Sequence, residues 1–125
     1  MGGQVVHFEI PADDMDRAQE FYRSAFGWEI NPMPDMGYAM VGTTPTGEDQ
    51  MPKDPGAING GMFKREGPMT APTVVIAVED IDKALEIVAE HGGKKMVPKT
   101  PVMEMGFSAY FRDTEGNLIG LWQNA

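Results

Sequence analysis

Near its end the chain reads Asp113-Thr114-Glu115-Gly116-Asn117-Leu118-Ile119-Gly120-Leu121-Trp122. Aspartate and glycine supply the local hydrogen bonding and backbone freedom of a tight turn, and the apolar run after the turn has the length of a β-strand. A related strand occurs halfway along, where Gly61-Met62-Phe63 matches Gly120-Leu121-Trp122 at a spacing of 59 residues (120 − 61). The stretch therefore predicts that one structural unit is present twice.

A second pair of segments repeats ahead of these strands. Each begins at an aspartate, Asp14 or Asp80, which is a typical helix N-cap, and each ends in glycine, which is typical after the last turn. At a shift of 66 residues (80 − 14) further positions match: Asp16 with Asp82, Ala18 with Ala84, Phe21 with Ile87 and Gly27 with Gly93. We predict two amphipathic helices, from Asp14 to Gly27 and from Asp80 to His91, whose apolar faces are Ala18, Phe21, Tyr22 and Ala25, and Ile81, Ala84, Leu85 and Val88.

Strands are predicted around each helix, so that each half reads βαβββ. The predicted strands are 5–10, 28–30, 38–41 and 58–64, then 73–78, 95–97, 107–112 and 118–123. Between the second and third strands, Pro32 and Pro34 should prevent a regular ladder.

The domain organisation follows from these elements. Module 1 spans approximately 4–64, a linker covers 65–72, and module 2 spans approximately 73–125, together one α+β domain. Each helix covers only one sheet face, so we expect two curved mixed sheets around a cleft, within one chain or shared in a homodimer. The loop 42–57 is either a lid over that cleft or a surface excursion.

Composition excludes several classes of function. The chain has 125 residues, no cysteine, two histidines and a formal net charge of −9. Disulfides and thiolate chemistry are excluded, and the negative charge disfavours nucleic acid and anionic membranes as partners. The N-terminus lacks the basic start and apolar stretch of a signal peptide, so we expect a cytoplasmic protein.

Three segments resemble the vicinal oxygen chelate superfamily, which includes glyoxalase I, extradiol dioxygenases, and the bleomycin and fosfomycin resistance proteins. They are Val6-His7-Phe8, the helix from Asp14 that ends in Phe26-Gly27-Trp28, and the hairpin from Asp113 to Gln123. The chain looks most similar to small glyoxalase-related proteins that carry a Gly-Gly-x-Phe strand and a Gly-Leu-Trp-Gln ending. The resemblance implies the glyoxalase/bleomycin resistance/dioxygenase fold of two tandem βαβββ modules.

The resemblance also implies four metal-ligand positions, which in this sequence are His7, Gly61, Thr73 and Gly120. Only His7 is a strong ligand, whereas a divalent ion needs three or more histidine or carboxylate donors. We therefore predict no cofactor and no usual metal site. The alternative is a zinc, nickel, iron or manganese site rebuilt from His7, Glu9 and Glu104.

The candidate site residues are those on the predicted inner faces of the strands. His7 and Glu9 are the candidate catalytic residues, because a carboxylate that favours the charged form of His7 would make it a general base. The glycines should leave empty volume for a planar ligand. The candidate ligand-binding residues are Asn59, Phe63, Thr73, Val75, Leu118 and Trp122.

Three functions are compatible with these residues. The first is a protein that binds a small organic molecule without a metal. The alternative is a metal-dependent dioxygenase, or a lyase or isomerase related to lactoylglutathione lyase, with substituted ligands. A third hypothesis, an interaction module, rests on the acidic surface and the eleven methionines. His91 is expected to be structural, because an imidazole is favourable at the carboxyl end of a helix.

Overall fold

The computed structural model describes residues 2–33, 37–45, 47 and 52–125. It divides into two compact units: the first module is His7–Pro72, and the second module is Thr73–Ala125 together with the residues up to Val6. The elements are β1 (Val5–Ala12), α1 (Met15–Phe26), β2 (Glu29–Met33), β3 (Tyr38–Gly42), β4 (Gly60–Lys64), β5 (Thr73–Ala77), α2 (Ile81–Glu90), β6 (Lys94–Val102), β7 (Gly106–Arg112) and β8 (Leu118–Asn124). The βαβββ order predicted for each half is confirmed.

The sheet of the first module has the strand order β2-β3-β4-β1. β1 and β4 are parallel, with Glu9 beside Gly61, and the other pairs are antiparallel. One face packs against α1, because β-strands alternate their side chains and α1 presents an apolar stripe to that face. The buried core on this side is Ala12, Ile30, Ala39, Val41 and Met62, with Phe8, Met15, Ala18, Tyr22 and Trp28 packed against it.

The second module repeats this layout with the order β5-β8-β7-β6. β5 and β8 are parallel, with Val75 beside Gly120, and the other two pairs are antiparallel. Its core is Ile81, Leu85, Ala109, Phe111 and Leu121. The chain start runs along β5, where the Gly3 amide donates to the Ala77 carbonyl at 2.7 Å.

Both helices begin as predicted. The Asp14 carboxylate accepts from the Arg17 amide at 3.0 Å, and that of Asp80 accepts from the Lys83 amide at 3.1 Å. Each satisfies one of the free N–H groups of a first helical turn. In α2, the Gln123 side chain adds a second acceptor, at 2.8 Å from the Ile81 amide.

The predicted buried face of α1 is wrong in part. Phe21 is 57% exposed and Ala25 is exposed, whereas Gln19 is buried. The stripe that faces the sheet is the buried Gln19 with the partly buried Met15, Ala18 and Tyr22. Because the polar Gln19 occupies a buried position, the spacing of apolar residues did not predict which face of α1 lies against the sheet. The face predicted for α2 is confirmed.

Prolines did not end the strands where expected. β2 pairs with β3 through Pro32, and β6 runs through Pro98 and Pro101 rather than ending near Val97. Within its module each of these strands lies at a sheet edge, where proline is tolerated because one side of the strand has no ladder partner. β6 accommodates its prolines with register shifts on both sides of Val97.

None of the helices among the described residues combines the length and the apolar character needed to span a bilayer. In the loop 42–57, residues 46 and 48–51 lie outside the described residues, and so does much of the predicted lid. At its start the Thr44 hydroxyl donates to Asp54 at 2.6 Å.

Candidate functional site

The candidate site lies on the sheet face of the first module that is turned away from α1, called here the far face. Phe8 packs on the α1 side against Trp28, with ring centroids 5.8 Å apart. By alternation, His7 and Glu9 project to the far face. Strand register adds Gly61 beside Glu9, and Met40 beside Gly61.

Tyr38 is the residue that connects these positions. Its hydroxyl lies 3.2 Å from Nε2 of His7. A Cβ atom built on Gly61 would fall on the Tyr38 hydroxyl, well inside van der Waals contact. The hydroxyl therefore fills the space that any other residue at position 61 would need. The volume predicted to be empty at this glycine is occupied, and that expectation is wrong.

Burial keeps both members of the His7–Tyr38 pair neutral. Burial lowers the pKa of His7 from its ordinary value of 6.5. The pKa of Tyr38 is raised well above its ordinary value by burial and, second, by the negative charge of Glu9. The pKa of His7 therefore shifts in the direction opposite to the one expected from a neighbouring carboxylate, and the cause is desolvation by burial.

The chemistry of the pair follows from this protonation. A protonated phenol is a donor, and Nε2 of a neutral imidazole accepts when its proton is on Nδ1. In that arrangement the Tyr38 hydroxyl occupies the lone pair that a general base would use. The geometry suits recognition of a polar group better than proton abstraction at Nε2.

The other predicted residues of the first module have different roles. The Asn59 side-chain oxygen accepts from the amides of Thr43 at 2.8 Å and Thr44 at 3.2 Å, so it anchors the start of the loop after β3. Phe63 lies opposite Tyr38 in the β3–β4 ladder and is half-buried on the far face.

The remaining predicted residues belong to the second module, on the sheet face turned away from α2. Thr73 and Val75 are buried there, and Leu118 and Trp122 are half-buried. A Cβ atom on Gly120 would lie 3.0 Å from Val75 Cγ2 and 3.2 Å from a ring carbon of Tyr110. Trp122 uses its indole N–H locally, donating to Asn124 at 2.8 Å.

The residues present do not fit the metal site that the fold family implies. Of the four ligand positions only His7 carries a strong donor, and Tyr38 fills the position of Gly61. In the parts of the chain that are described, no group of three or more His, Asp or Glu side chains is placed to hold an ion. The alternative triad of His7, Glu9 and Glu104 draws on both units and stays a prediction. His91 places Nδ1 2.9 Å from the Ile87 carbonyl, in the helix-end position expected of it.

Sequence reasoning missed Tyr38 as a site residue. The signal was available in the strand pattern, because a glycine inside a strand often makes room for an aromatic ring from a neighbouring strand. Which tyrosine covers which glycine depends on ladder register, and the residues between β3 and β4 do not specify it.

A separate groove of about 340 Å³ lies at the start of α1. It includes Phe21 and the ion pair between Arg65 and Asp13, 3.1 Å apart. None of the predicted site residues lines it.

The sequence of the first module matches a known family. Residues 4–44 match the model described as "Bleomycin resistance protein-like N-terminal". A "Glyoxylase-like domain-containing protein" of Didymella fabae is 32% identical, over 92% of this chain and 89% of that protein. The chain belongs to the glyoxalase/bleomycin resistance superfamily. The vicinal oxygen chelate resemblance is thereby confirmed.

Other similar proteins differ in length or are more distant in sequence. "Putative glyoxylase CFP32" of Mycobacterium bovis is also 32% identical, but the chain spans only 43% of its length. A methylmalonyl-CoA epimerase of Streptomyces coelicolor has a TM-score of 0.69 at 16% identity, covering 100% of this chain and 99% of the epimerase. A hypothetical protein of Bacillus halodurans has a TM-score of 0.67 at 14% identity, covering 98% and 95%. At these identities the structures confirm the fold alone.

Proposed function

We propose that this chain binds a small organic molecule on the far face of the first module, through the His7–Tyr38 pair and without the divalent metal of the metal-using superfamily members. The observation that carries the proposal is the Tyr38 hydroxyl, which stands in the space of the Gly61 side chain and contacts His7 Nε2 at 3.2 Å.

The character of the far face supports an organic ligand. Small-molecule sites combine apolar walls with a few polar groups that fix orientation. Here the apolar surface comes from Met40 and Phe63, and the polar groups are His7, Tyr38 and the carboxylate of Glu9. Because burial keeps the imidazole neutral, we propose that the pair recognises a hydroxyl or carbonyl group by hydrogen bonding.

The relatives leave the chemistry of the ligand open. The names of the relatives refer to glyoxylases, and the epimerases act on a coenzyme A thioester, but the ligand positions that metal chemistry needs are not kept here. A metal-dependent lyase, isomerase or dioxygenase is therefore an outcome of the test and not the proposal. The homodimer and the cytoplasmic location stay predictions.

Thermal stabilisation by a panel of small carbonyl, hydroxyl and aromatic compounds tests the proposal. A compound that binds only the native state stabilises it by RT ln(1 + [L]/Kd), about 2.7 kcal/mol at 100 times Kd. We expect at least one compound to raise the melting temperature of the wild type and of the matched control His91→Ala. The Kd of that compound for His7→Ala should be at least about tenfold higher.

Two results would overturn the proposal. One is stoichiometric zinc, nickel, iron or manganese in the purified protein, which would support the metal-dependent alternative. The other is stabilisation that His7→Ala and Tyr38→Phe leave intact, which would move the ligand away from the far face.

A further inference from the structure

We infer that Tyr38 excludes a metal ligand from position 61 of the first module, because its hydroxyl occupies the side-chain space at that residue and contacts Nε2 of His7. The inference rests on the metal-free site of the proposed function. Its test uses cobalt and no organic ligand, so the two can fail separately.

The first step is steric. Gly61 lies beside Glu9 in the β1–β4 ladder, so a side chain at position 61 would project to the far face. The Tyr38 hydroxyl is already there. A carboxylate at position 61 and Tyr38 in its present rotamer are therefore mutually exclusive.

The second step concerns His7. A histidine must be neutral to bind a metal, and burial favours the neutral form of His7, so its protonation is not the obstacle. The obstacle is the contact of Nε2 with the Tyr38 hydroxyl, 3.2 Å away. To coordinate through Nε2, the imidazole would have to give up this hydrogen bond.

The third step is a contrast with the second module. The counterpart of Gly61 is Gly120, and the atoms nearest to its side-chain space are a methyl group of Val75 and ring carbons of Tyr110. Metal is disfavoured there because the nearby ligand position is Thr73, a weak donor. Tyr110 is thus a tyrosine that covers a glycine without blocking a strong ligand, and it supplies a matched control.

The experiment removes the tyrosine and restores a ligand. In Tyr38→Ala/Gly61→Glu, three donors share the far face: His7, Glu9 and the introduced carboxylate. Imidazole and carboxylate groups are both ligands of divalent transition metals, and three of them leave further coordination positions open to water. We expect this variant to bind one equivalent of Co²⁺ at least about tenfold more tightly than wild type does. Visible absorption and calorimetry measure the binding. Adding His7→Ala should remove the gain, and Tyr110→Ala/Gly61→Glu should bind no better than Gly61→Glu alone.

The single variant gives the sharpest contradiction. If Gly61→Glu alone binds cobalt as tightly as the double variant, the tyrosine is not the excluding group and the inference is wrong. A folded double variant that binds no more tightly than wild type also overturns it.

A second measurement does not depend on the folding of the double variant. ¹⁵N NMR of wild type should show His7 with its proton on Nδ1, because Nε2 accepts from Tyr38, and Tyr38→Phe should shift the Nε2 resonance. A wild-type imidazole protonated on Nε2, or an unchanged resonance in Tyr38→Phe, would contradict the second step of the inference.

Discussion

The two modules share a scaffold and differ in the atoms that cover one glycine of the last strand. Both place glycine at the same point of their last strand and cover it with a tyrosine, Tyr38 over Gly61 and Tyr110 over Gly120. In the first module the hydroxyl is the covering atom and it reaches an imidazole. In the second module ring carbons cover the glycine beside Val75. The same backbone requirement is therefore met by a hydroxyl in one half and by ring and methyl carbons in the other.

Helix caps and helix-ending glycines that occur in both halves specify the repeated scaffold. Asp14 and Asp80 cap the helices through equivalent hydrogen bonds. Gly27 and Gly92 lie just after the helices with positive φ, 71° and 95°, which favours glycine. These residues have no part in the far face, so the halves can diverge in their sites while keeping their fold.

Substituting the two glycines should give the largest difference in stability loss between the modules. In Gly61→Ala the new methyl group would displace the Tyr38 hydroxyl and its contact with His7, so we expect a loss of about 1–3 kcal/mol in the free energy of unfolding. In Gly120→Ala the nearest atoms are at 3.0 and 3.2 Å, and small shifts relieve them, so we expect a loss below about 1 kcal/mol.

Urea denaturation of both variants measures this difference. Tyr38→Ala, which clears the space, should make a further Gly61→Ala substitution cost less than it does in wild type. Equal losses for the two glycine variants in the wild-type background would show that the hydroxyl contact has no energetic weight.

The sequence predicted the fold well because its determinants are local. Caps, helix-ending glycines and the closing turn act within a few residues, and Asp113 indeed accepts from the amides of Glu115 and Asn117 at 2.9 Å each. The apolar stripe of α2 is as periodic as expected. In α1 a buried Gln19 broke the pattern, since its placement depends on packing rather than on residue type.

The candidate site was predicted only in part because its key contact depends on register. His7 and Glu9 follow from alternation along one strand. Tyr38 lies 31 residues from His7 along the chain, and its ladder partner is Phe63 rather than Gly61. No local pattern specifies such a diagonal contact, and the direction of the His7 pKa shift depends on burial that the sequence does not show.

Removing the helix N-cap should have the same effect on stability in both modules. Asp14→Ala and Asp80→Ala each remove one acceptor from a first helical turn, so each should lower the free energy of unfolding by about 1 kcal/mol. Asp→Asn at either position, which keeps an acceptor, is the control and should cost less. A loss at Asp80 far below that at Asp14 would show that Gln123, which also bonds the start of α2, substitutes for the cap.

The smallest expected effect is the pH dependence that His7 of the first module contributes. Because burial lowers the folded-state pKa of His7 below 6.5, the unfolded chain protonates first as the pH falls. Stability from the neutral imidazole is therefore complete above pH 6.5 and decreases below it until the lowered pKa is reached. The groups facing His7 in this window are Tyr38, which stays protonated, and the carboxylate of Glu9 on the same strand face.

Urea denaturation at several pH values should show a smaller decrease in the free energy of unfolding for His7→Gln than for wild type, with His91→Gln as the control for loss of an imidazole. An identical pH profile for wild type and His7→Gln would mean that the charged form of His7 is tolerated beside Tyr38. The first module would then not require a neutral imidazole at this position.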